Sequence, residues 1–417
     1  MSFLERHDIL SERQFGFRKK HSTKLALISL TEEIRYLDEG KFTCGVFIDL
    51  QKAFDMVDHK ILLKKLELYG IRGISNNWFR SYLSNRVQYV SYSGAKSVLR
   101  KIFTGVPQGS VLGPLLFLIY INDLCNAVNY SLTSLFADDT SIIYSDFSLV
   151  NIEKNINLDL ESLYIWLCAN KISLNVAKTK ILLFRNCHKK ISFHLNFFIN
   201  NEPLKLSESV KYLGVTLDHF LNWNINTKNL CSKLSNANGV ISKLRHFLPI
   251  STLIQIYYAL FFSHLKYSCQ IWGQKFDHNV ERMFVLQKRC LRLITFSDFN
   301  APSSEIFARL NLLKVSDLIK LRNVNLIHQI LNNECPLRVS NIFSLNYYQH
   351  SHQTRGNSNR LLSRPSFRTI MYGTNSITYK SIVQWNELQM LFPDSQLTEY
   401  SKYKLKSTYH NILASEY

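Results

Sequence analysis

Three carboxylates have the types and spacing to do chemistry together. Asp138 and Asp139 stand side by side between two apolar runs in Ser134-Leu-Phe-Ala-Asp-Asp-Thr-Ser-Ile-Ile-Tyr144, and Asp49 closes the apolar run Cys44-Gly-Val-Phe-Ile-Asp49. Adjacent acids repel, so a turn carrying both is most easily explained by a hard, oxygen-preferring ion such as Mg2+ held against it. Asp is also a favoured turn residue, and for this pair alone a plain surface turn is the simpler account. Asp49 by itself reads equally well as a helix N-cap. What joins the three is that a charge ending a buried strand is costly unless it is paired or bound to a cation.

The elements that must position these acids follow from the flanking residues. The two apolar runs around Asp138 read as a β-hairpin with both acids at its turn. The run into Asp49 reads as a buried strand that opens into a helix from about Lys52, with Ala53, Phe54, Val57, Ile61, Leu62, Leu66 and Tyr69 at helical spacing until Gly70 ends it. Trp78–Leu83 reads as a short helix, and Arg86–Tyr92 with Val98–Phe103 as a hairpin around Ser93-Gly94-Ala95. Next comes Thr104-Gly-Val-Pro-Gln-Gly-Ser-Val-Leu-Gly-Pro114, whose glycines and prolines punctuate a turn leading into an apolar helix over Leu115–Leu124. Gly105 and Gly109 let backbone approach a ligand closely.

Six stretches in order carry a specific resemblance: Gln14-Phe-Gly-Phe-Arg18 with His21-Ser-Thr23, Phe47-Ile-Asp-Leu-Gln-Lys-Ala-Phe-Asp-Met-Val-Asp58, Gly105-Val-Pro-Gln-Gly-Ser-Val-Leu-Gly-Pro114, Phe136-Ala-Asp-Asp139, Asn175-Val-Ala-Lys-Thr179 and Tyr212-Leu-Gly214. Together they resemble the core motifs of reverse transcriptases, of the type encoded by non-long-terminal-repeat retrotransposons of the jockey and chicken-repeat kind. The tetrad begins with Phe136 where that family more often has Tyr. The resemblance implies an RNA-directed DNA polymerase acting on an RNA template, a DNA primer and dNTPs. Asp49 and Asp138 would then hold two Mg2+ ions about 3.5–4 Å apart, with Mn2+ as a substitute and Asp139 supporting the site at second rank. One ion would lower the pKa of the primer 3′-hydroxyl and the other escort the triphosphate. Lys178 would meet the leaving pyrophosphate as general acid or electrostatic partner. Phe54 would be the steric gate beneath the sugar, and Pro107, Gln108 and Gly109 would form the nucleotide-binding turn. Tyr212, Leu213 and Gly214 would grip the primer end, and Gln14, Phe15, Gly16, Phe17 and Arg18 would belong to the template-facing fingers. Read without the family, Phe54 is equally a core aromatic, Gln108 part of a plain turn, Lys178 a solvated lysine, and the basic stretch 13–21 a solvated turn or a phosphate site.

The formal charge of +19, from 50 basic and 31 acidic residues, points to a polyanionic partner, nucleic acid before membrane. The excess is uneven: Asn224–Asn300 holds ten Lys or Arg against three acids and Arg338–His410 nine against three, which separates a metal end from phosphate-binding ends. The eight Cys show no Cys-x-x-Cys pair and no zinc spacing, so a reducing compartment is expected. No run is long enough to span a bilayer, and the start is charged rather than signal-like, so the chain reads as intracellular, in nucleus or cytoplasm, with no membrane partner.

The expected fold is α+β: a right-hand polymerase palm of antiparallel strands backed by helices, with partial fingers, a helical thumb and a basic C-terminal extension. The expected division is 1–220 for fingers and palm, 221–300 for the thumb and 301–417 for the extension. A helix begins at Ser22 or Thr23 and runs to Leu37. Leu158–Ala169 is amphipathic and precedes a strand ending at Phe184, while Ser209–Asp218 reads as a hairpin turning at Gly214. Ile225–Arg245, Ser251–Ser263 and Val280–Leu293 are the thumb helices, offering Lys228, Lys233, Lys243, Arg245, Lys288, Arg289 and Arg292 to a duplex backbone. Ala301–Leu331 is helical, His350–Arg368 a basic loop, and Tyr379–Leu391 a closing helix. Met1–Leu10 reads as the last turns of a helix whose beginning is absent. With so little before Gln14 to clamp a triphosphate, weak polymerisation is expected, and a nucleic-acid-binding remnant is the alternative. A group II intron maturase is a weaker third reading.

Overall fold

The strand ending at Asp49 lies inside a four-stranded antiparallel sheet. β1 (Phe42–Ile48) is buried at every position, β2 (Leu132–Phe136) and β3 (Asp139–Asp146) form the hairpin, and β4 (Lys180–Phe184) pairs with the other side of β1. The order is β2-β3-β1-β4. β1 sits between two neighbours, and helices cover the sheet, which is why it reads as a continuous apolar run. Its register with β3 pairs Phe47 with Ser141 and Ile48 with Thr140.

The computed structural model describes residues 1–189, 191, 194–275, 278–347, 361–392 and 397–417. They divide into two units, 1–26 with 40–213 and 27–39 with 214–417. Residues 221–300 and 301–417 therefore lie in one unit, and that unit also contains 27–39.

In the first unit, α1 (His59–Leu68), α2 (Gly73–Leu83), α3 (Leu112–Ile121) and α4 (Leu149–Ala169) share one apolar core with the sheet. α4 packs on β3 and β1. α3 is apolar all round and almost wholly buried, as such a helix must be. Lys65 pins it, its Nζ donating to the Tyr120 carbonyl and to Asp123, both at 2.6 Å. Asp159 is buried and accepts from the Asn129, Tyr130 and Ser131 amides at 2.9, 3.1 and 2.7 Å, which fixes the chain entering β2.

The helix expected from Lys52 begins later. Lys52 has φ of 44°, which no helix accommodates. The Asp58 carboxylate accepts from the Lys60 and Ile61 amides at 2.9 and 3.1 Å and starts α1 at His59. Phe54 therefore stands on a turn rather than on a helix. Other boundaries shift as well: the Leu115–Leu124 helix starts at Leu112 and ends in a 3-10 turn, Asn122–Asn126, and α4 begins nine residues ahead of Leu158, at Leu149.

In the second unit, α5 (Asn224–Leu244) and α6 (His278–Thr295) pack on one another. The segment expected as one helix over Ser251–Ser263 is α-helical over Ile250–Ile256, makes a π-turn over Tyr257–Phe262 and resumes over Ser263–Lys266. Gln287 binds there in the core, donating to Tyr257 Oη at 3.2 Å and to the Leu313 carbonyl at 2.9 Å while accepting from the Val315 amide at 3.1 Å. The helix expected across Ala301–Leu331 is two, α7 (Ser303–Leu310) and α8 (Val315–Leu331), because Asn311 takes φ of 50°. α9 (Ile377–Leu391) packs on α8 with Trp385 buried. Most of the basic loop His350–Arg368 lies outside the described residues. No helix among the described residues is long and apolar enough to cross a membrane.

Candidate active site

The β2–β3 turn presents the paired acids. Phe136 pairs with Asp139, so the loop is the two residues Ala137 and Asp138, and Ala137 takes φ of 54°, the positive value that tight hairpins require at the first loop position. For a residue with a Cβ this conformation costs about 1–2 kcal/mol. Carrying the β1–β3 register one step beyond Ile48 and Thr140 brings Asp49 level with Asp139. Desolvation raises the Asp139 carboxyl above its ordinary pKa, and the charges of Asp138 and Asp49 push it the same way. Asp139 therefore feels the charge of both other acids.

Asp49 is held by its backbone. Its carbonyl accepts from the Asn175 amide at 2.9 Å, the Gln51 amide donates to the Ser173 carbonyl at 2.9 Å, and Leu50 bridges Leu174. This fastens the 173–179 loop to the end of β1 and places Lys178 Nζ 3.9 Å from Asp49 Oδ2. Both side chains are solvent-accessible, so the pair contributes little to stability and remains free to rearrange. Thr179 Oγ1 lies at 3.5 Å from the Asp49 amide and donates to the Asn175 carbonyl at 2.9 Å. Sequence reasoning did not single out Thr179.

The Gly105–Gly113 turn lies along the Phe54 turn. The Gly105 amide donates to the Val57 carbonyl at 2.8 Å and the Val106 amide to the Phe54 carbonyl at 2.9 Å. At Gly105, with φ of 89°, a Cβ would meet Asp55 backbone at 3.0 Å, so this approach requires glycine. Gln108 Nε2 donates to Asp55 Oδ1 at 2.8 Å on the exposed face. The Pro107 carbonyl accepts from Ser110 Oγ at 2.7 Å, and Ser110 Oγ accepts in turn from the Gly113 amide at 2.9 Å. Gly109 lies in open space. Phe54 is half-buried, its ring stacked on Phe117 with centroids 4.4 Å apart.

Tyr212 packs on the sheet, its ring 5.2 Å from that of Phe47 and its Oη 3.4 Å from Ser141 Oγ. Leu213 and Gly214 follow with positive φ, and the unit boundary falls between them. In the Gln14–Arg18 stretch, Gln14 and Phe15 are buried while Phe17 is exposed. Arg18 donates to the Ser11 carbonyl at 2.7 Å.

Residues 68–122 contain six Arg or Lys and no Asp or Glu. Within them the hairpin Val87–Gln88 with Arg100–Lys101, continued by Ser91–Tyr92 with Ala95–Lys96, is exposed at every strand position. Tyr89, Tyr92 and Phe103 are exposed beside these basic residues.

Among the described residues, no three His, Cys, Asp or Glu side chains form a ready-made metal cage. The donor set nevertheless fits Mg2+, which is held by one or two carboxylates together with substrate phosphates rather than by an all-protein cage. Asp138 and Asp139 are both exposed, so their side chains are accessible to a ligand.

An antiparallel sheet backed by helices, with acids at the end of a central strand and at the neighbouring hairpin turn, defines a polymerase palm. Residues 1–217 match the reverse transcriptase (RNA-dependent DNA polymerase) family model, and the chain belongs to that family. It is 30% identical over 335 residues to the probable RNA-directed DNA polymerase from transposon X-element of Drosophila melanogaster, covering 76% of this chain and 36% of that protein. It is 26% identical over 329 residues to the RNA-directed DNA polymerase from mobile element jockey of the same species, covering 75% and 34%. The probable RNA-directed DNA polymerase from transposon BS of D. melanogaster matches at 30% over 334 residues, covering 75% and 35%. These similarities are to the non-long-terminal-repeat retrotransposon type. The chain spans about a third of the length of the curated relatives it matches.

Proposed function

We propose that this chain carries out RNA-templated nucleotidyl transfer onto the 3′-hydroxyl of a DNA primer. The observation that carries the reading is that Asp49, Asp138 and Asp139 stand at one end of the palm sheet, with the charges of the first two bearing on Asp139 and Lys178 beside Asp49. Repulsion of this kind is relieved by a divalent cation, and reverse transcriptases as a family use such ions.

Asp49 and Asp138 would hold Mg2+ or Mn2+, with Asp139 in support. Bound there, the ions would supply Lewis-acid activation of the primer hydroxyl and neutralise charge on the triphosphate. Lys178 turns from Asp49 toward the leaving pyrophosphate, where its charge stabilises the developing anion. Phe54, braced by Phe117, limits the room beneath the sugar. Gln108 exchanges Asp55 for the nascent base pair, an amide being able to donate and accept at once. Tyr212, Leu213 and Gly214 hold the primer end, and the exposed lysines and arginines of α5 and α6 hold the duplex by its phosphates, as a thumb does.

The test is extension of a primed RNA homopolymer with and without Mg2+. Metal-dependent incorporation of dNTPs supports the reading. A chain that binds primed template with no incorporation under any divalent ion would replace it with that of a nucleic-acid-binding module.

A further inference from the structure

The hairpin turn that carries Asp138 is held by a residue 123 positions earlier. The Arg13 carbonyl accepts from the Leu135 amide at 2.9 Å and the Phe15 amide donates to the Leu135 carbonyl at 2.7 Å, so this segment lies as an extra ribbon along β2. Between them Gln14 is completely buried. Its Oε1 accepts from the Ala137 amide at 3.1 Å and from the Gly16 amide at 2.8 Å. Two N–H donors identify that atom as the oxygen of the amide. At Gly16 a Cβ would lie 2.5 Å from the Ala137 nitrogen, so the approach has no room for any other residue.

The Gln14 Nε2 is buried without a hydrogen-bond partner among the described residues. A side chain present only to fill volume would not carry a buried, unpaired donor, since Leu or Met fills the same space without that penalty. The acceptor oxygen is thus what this position supplies. It acts on the Phe136–Ala137 peptide, one residue ahead of Asp138, at an alanine whose backbone conformation is unfavourable and beside two acids that repel.

We propose that Gln14, with Gly16 making room for the contact, is a positioning residue that sets the direction in which Asp138 and Asp139 leave their turn. The contact itself is independent of the polymerase reading; its effect on metal binding rests on that reading.

Hydrogen exchange and Mn2+ titration by electron paramagnetic resonance on the full chain test the idea. In Gln14→Leu, amides of the Ala137–Asp139 turn should exchange about tenfold faster while β1 and the centre of β3 keep their protection. Mn2+ affinity should fall about tenfold, as when a group supporting a metal ligand is removed. Gln14→Glu, whose buried carboxyl is neutral in acid and then keeps an acceptor at the same reach, should recover most of the turn's protection at acidic pH. Gln14→Asn, too short to reach Ala137, provides a milder variant with the same directions of change. Unchanged turn exchange, or uniform acceleration across the whole sheet, would overturn the proposal, because the second is what a mere core filler gives. Equal Mn2+ binding by the parent and Asp138→Asn would count against the metal site instead, and the exchange pattern would still decide the role of Gln14.

Discussion

In the second unit, three acids of the segment 27–39 are engaged by the chain itself. Glu32 is buried and accepts from the Ile377 amide at 3.0 Å and Thr378 Oγ1 at 2.5 Å. Asp38 accepts from the Arg368 and Thr369 amides at 2.9 and 2.7 Å and from Thr369 Oγ1 at 2.7 Å. Glu33 accepts from Ser29 Oγ at 3.2 Å and from Arg338 Nε at 3.0 Å. These three tie the segment 27–39 to distant parts of its own unit. In the first unit, Asp49, Asp138 and Asp139 stand at the ends of strands with their oxygens toward solvent and a lysine 3.9 Å from one of them. Burial raises the Glu32 carboxyl as desolvation raises Asp139, but hydrogen bonds oppose the rise in Glu32 whereas neighbouring negative charge adds to it in Asp139. The contrast separates acids that hold a fold together from acids that have capacity left for a ligand.

The sharpest break in that comparison is Asp138→Asn, which removes a ligand charge at constant volume. It should abolish Mg2+-dependent extension while the melting temperature holds or rises, and extension at the parental rate would sink the metal assignment. The reverse pattern is expected for Glu33→Gln. There a buried partner loses its carboxylate, so stability should drop by about 3 kcal/mol in denaturant titration, with the effect independent of Mg2+. A neutral result would mean that buried and open acids are not differently employed.

Phe54→Val tests a residue that belongs to both categories. Its stacked, half-buried ring predicts a loss of about 2 kcal/mol, less than for a fully enclosed aromatic. The opened space should also admit ribonucleotides more readily, so melting and dNTP-over-rNTP preference are measured on the same protein. Stability loss with unchanged sugar preference would leave Phe54 as core alone.

Asp139 gives a pH test. Because its carboxyl is raised in the folded chain, the folded state binds that proton more tightly than the unfolded state does. Its contribution to stability is therefore present below the ordinary carboxylate range and lost as pH rises through the raised value. Without divalent ions, Asp139→Asn should melt higher than the parent at neutral pH and converge with it in acid. A lower melting temperature at neutral pH would contradict the repulsion.

The smallest effect concerns α6. Lys288 and Arg289 together should reduce the salt dependence of nucleic-acid affinity by about two units when neutralised. Arg292 should add little, since its guanidinium donates twice to the Ala301 carbonyl, at 3.1 and 2.7 Å. Read as a sequence, the three were equivalent, and only their surroundings separate them.

Much of the palm was legible because its signals are local. Apolar runs flanking Asp138 and leading to Asp49 specify strands through period and composition, and the Gly105–Gly113 punctuation specifies a turn. The start of α1 was missed because Ala53, Phe54 and Val57 mimic helical spacing, while the decisive cap at Asp58 was passed over. The acid-free, exposed hairpin after α2 was legible as a hairpin, but its bare faces were not, since exposure depends on what else packs nearby.

The amino-acid sequence by itself determined which residues have the chemistry of a divalent-ion site, and in what order strand, turn and hairpin present them, because each signal lies within a few residues of chain. Tertiary structure decided which acids remain open and which are consumed, that residues 27–39 join the second unit, and that Gln14 reaches the Ala137 amide. Those outcomes depend on hydrogen bonds across more than a hundred positions, Gln14 to Ala137, Glu32 to Ile377 and Asp38 to Thr369 among them, and contacts between residues so far apart leave no periodicity or spacing along the chain.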